Sequence, residues 1–286
     1  MLDRSSIAVV AVAVALCASF APARAWDDAK YPDWKGQWSR APVPGVTGNP
    51  SYDPSRPRGR GEEAPLTAEY QAIFEANLKD QAAGGQGTDA TFTCLAPGMP
   101  RTMISYGPME ILITPDVTYI FIEYIHDNRR VFTDGRDWPA QIEPSFEGYS
   151  IGRWVDQDRD GRYGALEIET RHMKGPRAYD ASGLPLHADN QTTVKERIYL
   201  DPANRNLLHD EITTIDHALT RPWTVTQNCR RSPSPQPFWR EYVCAENNSH
   251  LQVGNESYYL SARGLLMPAK KDQAPPDLRY FNPPRK

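Results

Sequence analysis

Cysteine is scarce in this chain: four in 286 residues, and Cys17 falls inside an apolar N-terminal run. The other three are Cys94, Cys229 and Cys244. None stands in a His-paired signature, which argues against a nucleophilic thiol. An odd number allows one internal disulfide and leaves one thiol over. Cys229–Cys244 would close a short Pro-rich loop, and Cys94–Cys244 would tie an early segment to the C-terminal region. Basic surplus is also lacking, since the net charge is −4. Removing the first 25 residues takes away Arg4, Arg24 and Asp3 and makes it one unit more negative. That balance does not favour nucleic acid, which rewards clustered Lys and Arg. Arg56, Arg58 and Arg60 cluster, but among Pro and Gly, as in a solvated loop. S-x-x-K and H-E-x-x-H are absent, and no strand-turn-helix unit of the nucleophile-elbow or dinucleotide type is read.

What the N-terminus does have is an export signal. Arg4 supplies the positive start, Ile7 to Ala21 is almost wholly apolar, and Ala23-Arg-Ala25 is a small-x-small cleavage site. The run is short for a bilayer span. Leu16 stands before Cys17 where lipidation wants a small residue. The mature chain is expected to begin at Trp26, in the periplasm or outside the cell. No later stretch is apolar enough to cross a membrane, so no membrane insertion is expected.

After the signal peptide (1–25), residues 26–65 read as an extended lead-in rich in Pro, Gly, Trp and Arg. Residues 66–231 read as a β domain with one N-terminal helix, and 232–286 as an irregular Pro-rich arm. The helix covers Leu66–Lys79, with Thr67 as N-cap, an apolar stripe of Tyr70, Ile73, Phe74 and Leu78, and Gly84-Gly85 as its stop. From about residue 108 the pattern is β. Segments near 109–114, 117–125, 129–133, 148–155, 165–172, 191–200, 207–216 and 223–230 alternate or carry β-branched and aromatic residues, with turn signals between them. About eight strands with hairpin-like connections predict a mainly β fold, an antiparallel barrel-like (calycin-like) domain or a curved sandwich.

The most specific motif is Asp156-Gln-Asp158-Arg-Asp160-Gly161-Arg162-Tyr-Gly164-Ala-Leu-Glu167, which fits D-x-D-x-D-G-x5-E. In a calcium loop the three Asp carboxylates, the Arg162 backbone carbonyl and a bidentate Glu167 would ligate Ca2+, with Gly161 at the sharp turn and water at Gly164. Both flanks read as strands rather than helices, so the motif becomes the tip of a β-hairpin. A strand can aim Glu167 elsewhere. The bland alternative is a polar tip with Asp160-Gly161 as turn residues.

Alternation also yields interior candidates. In 119–126 one face carries Ile120, Ile122, Tyr124 and His126, and the other Tyr119, Phe121, Glu123 and Ile125. Continuing the face of Leu166, Ile168 and Thr170 brings His172 inward. Glu196 lies with Val194 and Ile198, and Asp210 and Asp216 with Leu208 and Ile212. His126, His172, Glu123 and Tyr124 are therefore the candidates for acid–base work or for holding a polar ligand. They are equally satisfied rim and core groups. His126 and His172 lack the close spacing of zinc ligands. Glu123, Arg129 and Arg130 are expected to form an ion-pair cluster, and Trp138, Trp154 and Trp223 to pack the core or the barrel ends.

Five blocks stand in order: Cys94-Leu-Ala-Pro-Gly-Met-Pro100, Glu123-Tyr-Ile-His-Asp-Asn-Arg-Arg130, Gly148-Tyr-Ser-Ile-Gly-Arg-Trp154, Val194-Lys-Glu-Arg197 and Thr220-Arg-Pro-Trp-Thr224. As a set they resemble a group of uncharacterised exported bacterial proteins of rhizobial type, over roughly residues 60–230. Many members carry a short acidic turn after the Trp, where this chain has its Asp-rich loop. The nearest share that loop and the region around Cys244. The resemblance implies a Cys94–Cys244 disulfide and brings no established activity. The expected function is a periplasmic binding protein with a calcium-clamped hairpin and a small-molecule pocket. The alternatives are an exported hydrolase or isomerase, and a structural or partner-binding protein.

Overall fold

The computed structural model describes residues 27–40, 64–104, 107–124, 127–246, 248–254 and 256–276. The expected signal peptide, Arg56, Arg58, Arg60 and His126 lie outside the described residues.

Period-two alternation builds the molecule. In Val117–Ile122 the residues Thr118, Ile120 and Ile122 turn inward and their neighbours outward. In Thr193–Leu200 the inward set is Val194, Glu196, Ile198 and Leu200. Strands with one apolar face bury it by curling into a closed sheet. Nine do so here: β1 Gln37–Arg40, β2 Met109–Ile113, β3 Val117–Ile122, β4 Asp127–Phe132, β5 Tyr149–Val155, β6 Ala165–Arg171, β7 Thr193–Leu200, β8 Leu207–Ile215 and β9 Trp223–Arg231. The ninth strand comes from the lead-in. Trp38 of β1 is fully buried and sits opposite Met109 on one side and Arg231 on the other, joining β2 to β9.

One junction departs from the hairpin pattern. β4 and β5 run parallel and pair at only two positions, Val131 with Ser150 and Phe132 with Ile151. The connection through residues 133–148 is too long for a hairpin. The barrel therefore has one thin seam. The aromatic lead-in closes the β5–β6 end. Trp34 and Tyr31 pack on Trp154 at 5.0 and 5.1 Å, and the Tyr163 N–H donates to the Lys30 carbonyl (2.7 Å). Trp223 stacks on Tyr179 at 4.5 Å within the core, while Trp138 lies outside under the Arg171 guanidinium.

The helix α1, Ala68–Ala82, begins at Thr67, whose hydroxyl accepts the Tyr70 N–H. Its inward residues are Phe74 and Asn77, whereas Ile73 faces solvent. Asn77 replaces an apolar contact with hydrogen bonds: Nδ2 donates to the Ser182 carbonyl (2.7 Å) and Oδ1 accepts the Thr88 N–H (2.6 Å). The C-terminal arm is not wholly irregular. It forms a three-stranded sheet of β10 His250–Val253, β11 Glu256–Leu260 and β12 Leu266–Pro268. A Cys94–Cys244 disulfide joins the arm to the segment before β2, and Cys229 is free and buried in the barrel. Among the described residues no helix is long and apolar enough to cross a membrane.

Candidate functional site

Most inward positions of the barrel are apolar, but one layer is not. Alternation in β4 sends Arg129 and Val131 inward, with Arg130 outward. Arg129 is completely buried and meets Glu196 from β7: Nη1 donates to Oε1 (2.8 Å) and Nη2 to Oε2. Nη2 also donates to the Thr170 hydroxyl (2.8 Å), and Nε donates to Ser150 (3.3 Å). The Ser150 and Thr170 hydroxyls bond each other (2.8 Å). A buried guanidinium is tolerated only because it is paired, and removing one partner of such a pair costs about 3–5 kcal/mol. Burial alone would lower the pKa of Arg129. The Glu196 charge and its hydrogen bonds outweigh that, so the pKa rises and the cation is fixed.

Asp210 stands on β8 opposite Ile198 of β7 and Gln227 of β9. It is 1% exposed, and neither of its carboxyl oxygens has a hydrogen-bond partner. Burial, then the neighbouring Glu196 charge, push its pKa well above the ordinary carboxylate value, against a smaller opposing pull from Arg129. Both causes disfavour the charged form of Asp210. Both amide atoms of Gln227 are likewise buried without a partner. Arg129 balances the charge of Glu196, and burial works against a second negative charge at Asp210.

The seam between β4 and β5 borders this layer at Arg129 and Ser150, while Glu196, Asp210 and Gln227 do not line it. A cavity of about 180 Å³ there is lined by Arg129, Phe132, Glu147, Tyr149 and Ser150 among others. Glu147 accepts the Thr102 hydroxyl (2.6 Å). A larger groove of about 500 Å³ lies on the outer face of β5–β8 beside Trp138. Its charges pair with one another: Arg153 with Glu167, Glu167 with Arg197, and Glu169 with Lys195. It reads as a solvated charge ladder.

The residues expected to form an interior site are not brought together. His126 is outside the described residues. His172 does not enter the barrel, because β6 ends at Arg171 and His172 adopts a left-handed φ of 59°, which breaks the alternation. Its ring lies near Trp138 at the half-exposed rim. Tyr124 packs on the ring of Tyr242 (5.3 Å). Glu123 does not pair with Arg129, which faces inward; its Oε2 accepts the Arg240 N–H (2.8 Å). Glu196 and Asp210 were legible as inward positions. Arg129, Ser150 and Gln227 were not, although the single inward apolar residue Val131 two positions on marks Arg129's face.

Ser150 is the centre of Gly148-Tyr-Ser-Ile-Gly152, which spells the G-x-S-x-G of a nucleophile elbow. It sits in a strand rather than a strand-to-helix turn. Its hydroxyl is engaged by Thr170 and Arg129, not by a histidine. Cys229 is no better a nucleophile, since burial pushes its thiol up to about 12.

At the hairpin tip, Asp156 Oδ1 and Oδ2 accept the N–H groups of Asp160 (3.2 Å) and Gly161 (2.9 Å), and Asp160 accepts that of Arg162 (2.8 Å). Gly161 has φ 84°, which suits glycine. Glu167 is turned away onto the outer face, held by Arg153 (2.8 Å) and Arg197 (2.9 Å). No protein-family model matches the chain, and no curated protein matches it.

Proposed function

We propose that this chain is an exported binding protein that holds one small, neutral, polar molecule at the Arg129–Glu196–Asp210–Gln227 layer, entered through the β4–β5 seam. The observation that carries this reading is the set of four buried side-chain atoms of Asp210 and Gln227 that have no hydrogen-bond partner. Each such atom costs on the order of 1–3 kcal/mol if left unsatisfied. Two adjacent strands that keep them at facing positions offer a ready set of donors and acceptors. A protonated Asp210 supplies an O–H and acceptor oxygens; Gln227 supplies two N–H groups and a carbonyl. The layer is already charge-balanced, so an ionic guest would bring a buried charge without a partner. That selects hydroxyl- or amide-bearing neutral molecules. The seam cavity of about 180 Å³ meets this layer at Arg129 and Ser150 and is below the roughly 300–1,000 Å³ of drug-sized sites, so a guest entering by it is small. Export rests on the N-terminal leader. At the hairpin tip, calcium would take Asp156, Asp158, Asp160 and the Arg162 carbonyl without Glu167, and would have to draw together carboxylates that do not converge in the fold.

A protonated carboxyl beside a paired one also favours a second reading, an exported isomerase or hydrolase with Asp210 as general acid. One experiment addresses both. Native mass spectrometry of the protein, incubated with a library of sugars, polyols and small amides, is compared with that of an Asp210→Leu/Gln227→Leu variant. Retention of an unchanged compound by the wild type alone supports binding; recovery of an altered compound supports the enzyme. Equal retention by both proteins defeats the site.

A further inference from the structure

We propose a separate metal site: His187, Asp189 and His217 form a three-ligand site for a zinc-type divalent cation. The β6–β7 and β8–β9 connections meet at one end of the barrel, since Thr193 at the start of β7 pairs with Ile215 at the end of β8. His187 and Asp189 come from the first connection and His217 from the second. One ligand atom of each lies within 4.8 Å of the other two, the one such trio among the described residues. His187 Nδ1 stands 3.2 Å from one Asp189 oxygen, and His217 Nδ1 bonds the other. Two ligands on a tetrahedral zinc with bonds of about 2.0–2.1 Å stand roughly 3.3 Å apart, which the His187–Asp189 pair already matches while the trio as a whole spans up to 4.8 Å and must tighten. His187 Nδ1 accepts the Asp189 N–H (3.1 Å), a bond that a cation bound at this nitrogen would displace.

The trio is held by a built support. The carboxylate of Asp216, 8% exposed, accepts the N–H of His187 (2.9 Å) and of Ala218 (2.8 Å), thereby fixing both connections at once. Its other oxygen accepts the Thr192 hydroxyl, which in turn accepts Arg177 Nη2 (2.6 Å). From the start of α1, the Tyr70 ring packs 5.5 Å from that of His187, and the Thr67 N–H donates to the Ala218 carbonyl (2.9 Å). A surface His–Asp ion pair does not require such bracing, whereas a metal site does. Two imidazoles and one carboxylate suit a borderline cation such as Zn2+, while Ca2+ and Mg2+ prefer all-oxygen shells. The His217 side chain is 68% exposed, which leaves a fourth position open to solvent, as in zinc sites that retain a water.

The test is calorimetric titration of the whole chelator-treated protein with Zn2+ alone, and with Mg2+ as the control. One equivalent of zinc should bind, and magnesium should not. His217→Ala should weaken zinc about 100-fold or more, and Asp216→Asn about 10- to 100-fold through loss of positioning. His217 is exposed, so His217→Ala should melt like the wild type without metal; Asp189→Asn gives a second variant if it does not. Co2+ should give an intense visible spectrum with the wild type that both ligand variants lose. Zinc binding of equal strength in wild type, His217→Ala and Asp189→Asn, or no zinc binding by the wild type, overturns the site.

Discussion

Asp210 shows how much one side chain can fix. Its folded pKa is raised, so between the ordinary carboxylate value of about 3.9 and that raised value the folded state holds a proton the unfolded chain has released. Stability therefore falls as pH rises through this window, by up to about 1.4 kcal/mol per unit. Below the window both states are protonated and the loss disappears. Asp210→Asn mimics the neutral acid and has no such dependence. Urea unfolding should find the variant more stable than wild type at pH 7, with the difference shrinking through about pH 4 and gone by about pH 3. A difference that stays constant with pH would mean that Asp210 is charged in the fold. The position itself was legible, because Asp210 shares its face with Leu208 and Ile212. Its lack of a partner was not, because that depends on where Gln227 and Arg129 arrive from other strands.

The β5–β6 hairpin divides the same way among its residues. The flanking strands and the acidic tip follow from composition and turn chemistry. Glu167 belongs by spacing to the tip but by alternation to the outer face, and there two arginines hold it. Strand geometry prevails because a one-residue shift would turn every inward residue of β6 outward. Periodicity fails at the other end of the same strand, where the left-handed turn at His172 takes it off the interior face. For the tip, millimolar calcium should raise the melting temperature, since sites of this weak class have Kd of roughly 10⁻⁴–10⁻³ M. Asp158→Asn with Asp160→Asn should abolish the rise, while Glu167→Gln should leave it intact. Identical melting curves with calcium and with chelator would remove calcium from the account.

Across the whole molecule, the Cys94–Cys244 link spans 150 residues and encloses β2 to β9. A cross-link of that span restricts the unfolded chain strongly, and native disulfides typically contribute about 2–5 kcal/mol. Replacing both cysteines with serine should lower the urea midpoint by a corresponding amount without changing ligand or zinc binding. Unchanged midpoints would show that the unfolded chain is already compact around this link.

By itself, the sequence determined the β class, most strand positions, the helix and its cap, and which residues of β3, β6, β7 and β8 face inward, because these follow from local periodicity and turn chemistry. Only the tertiary structure decided the rest. β1 is four residues long, with no pattern that distinguishes it from the lead-in, and it became the closing strand because the open edges of β2 and β9 needed a partner. The Arg129–Glu196 pair joins residues 67 apart, and His187 and His217 meet across two connections. Such encounters depend on strand order and register around a closed barrel, quantities that no short stretch of chain encodes.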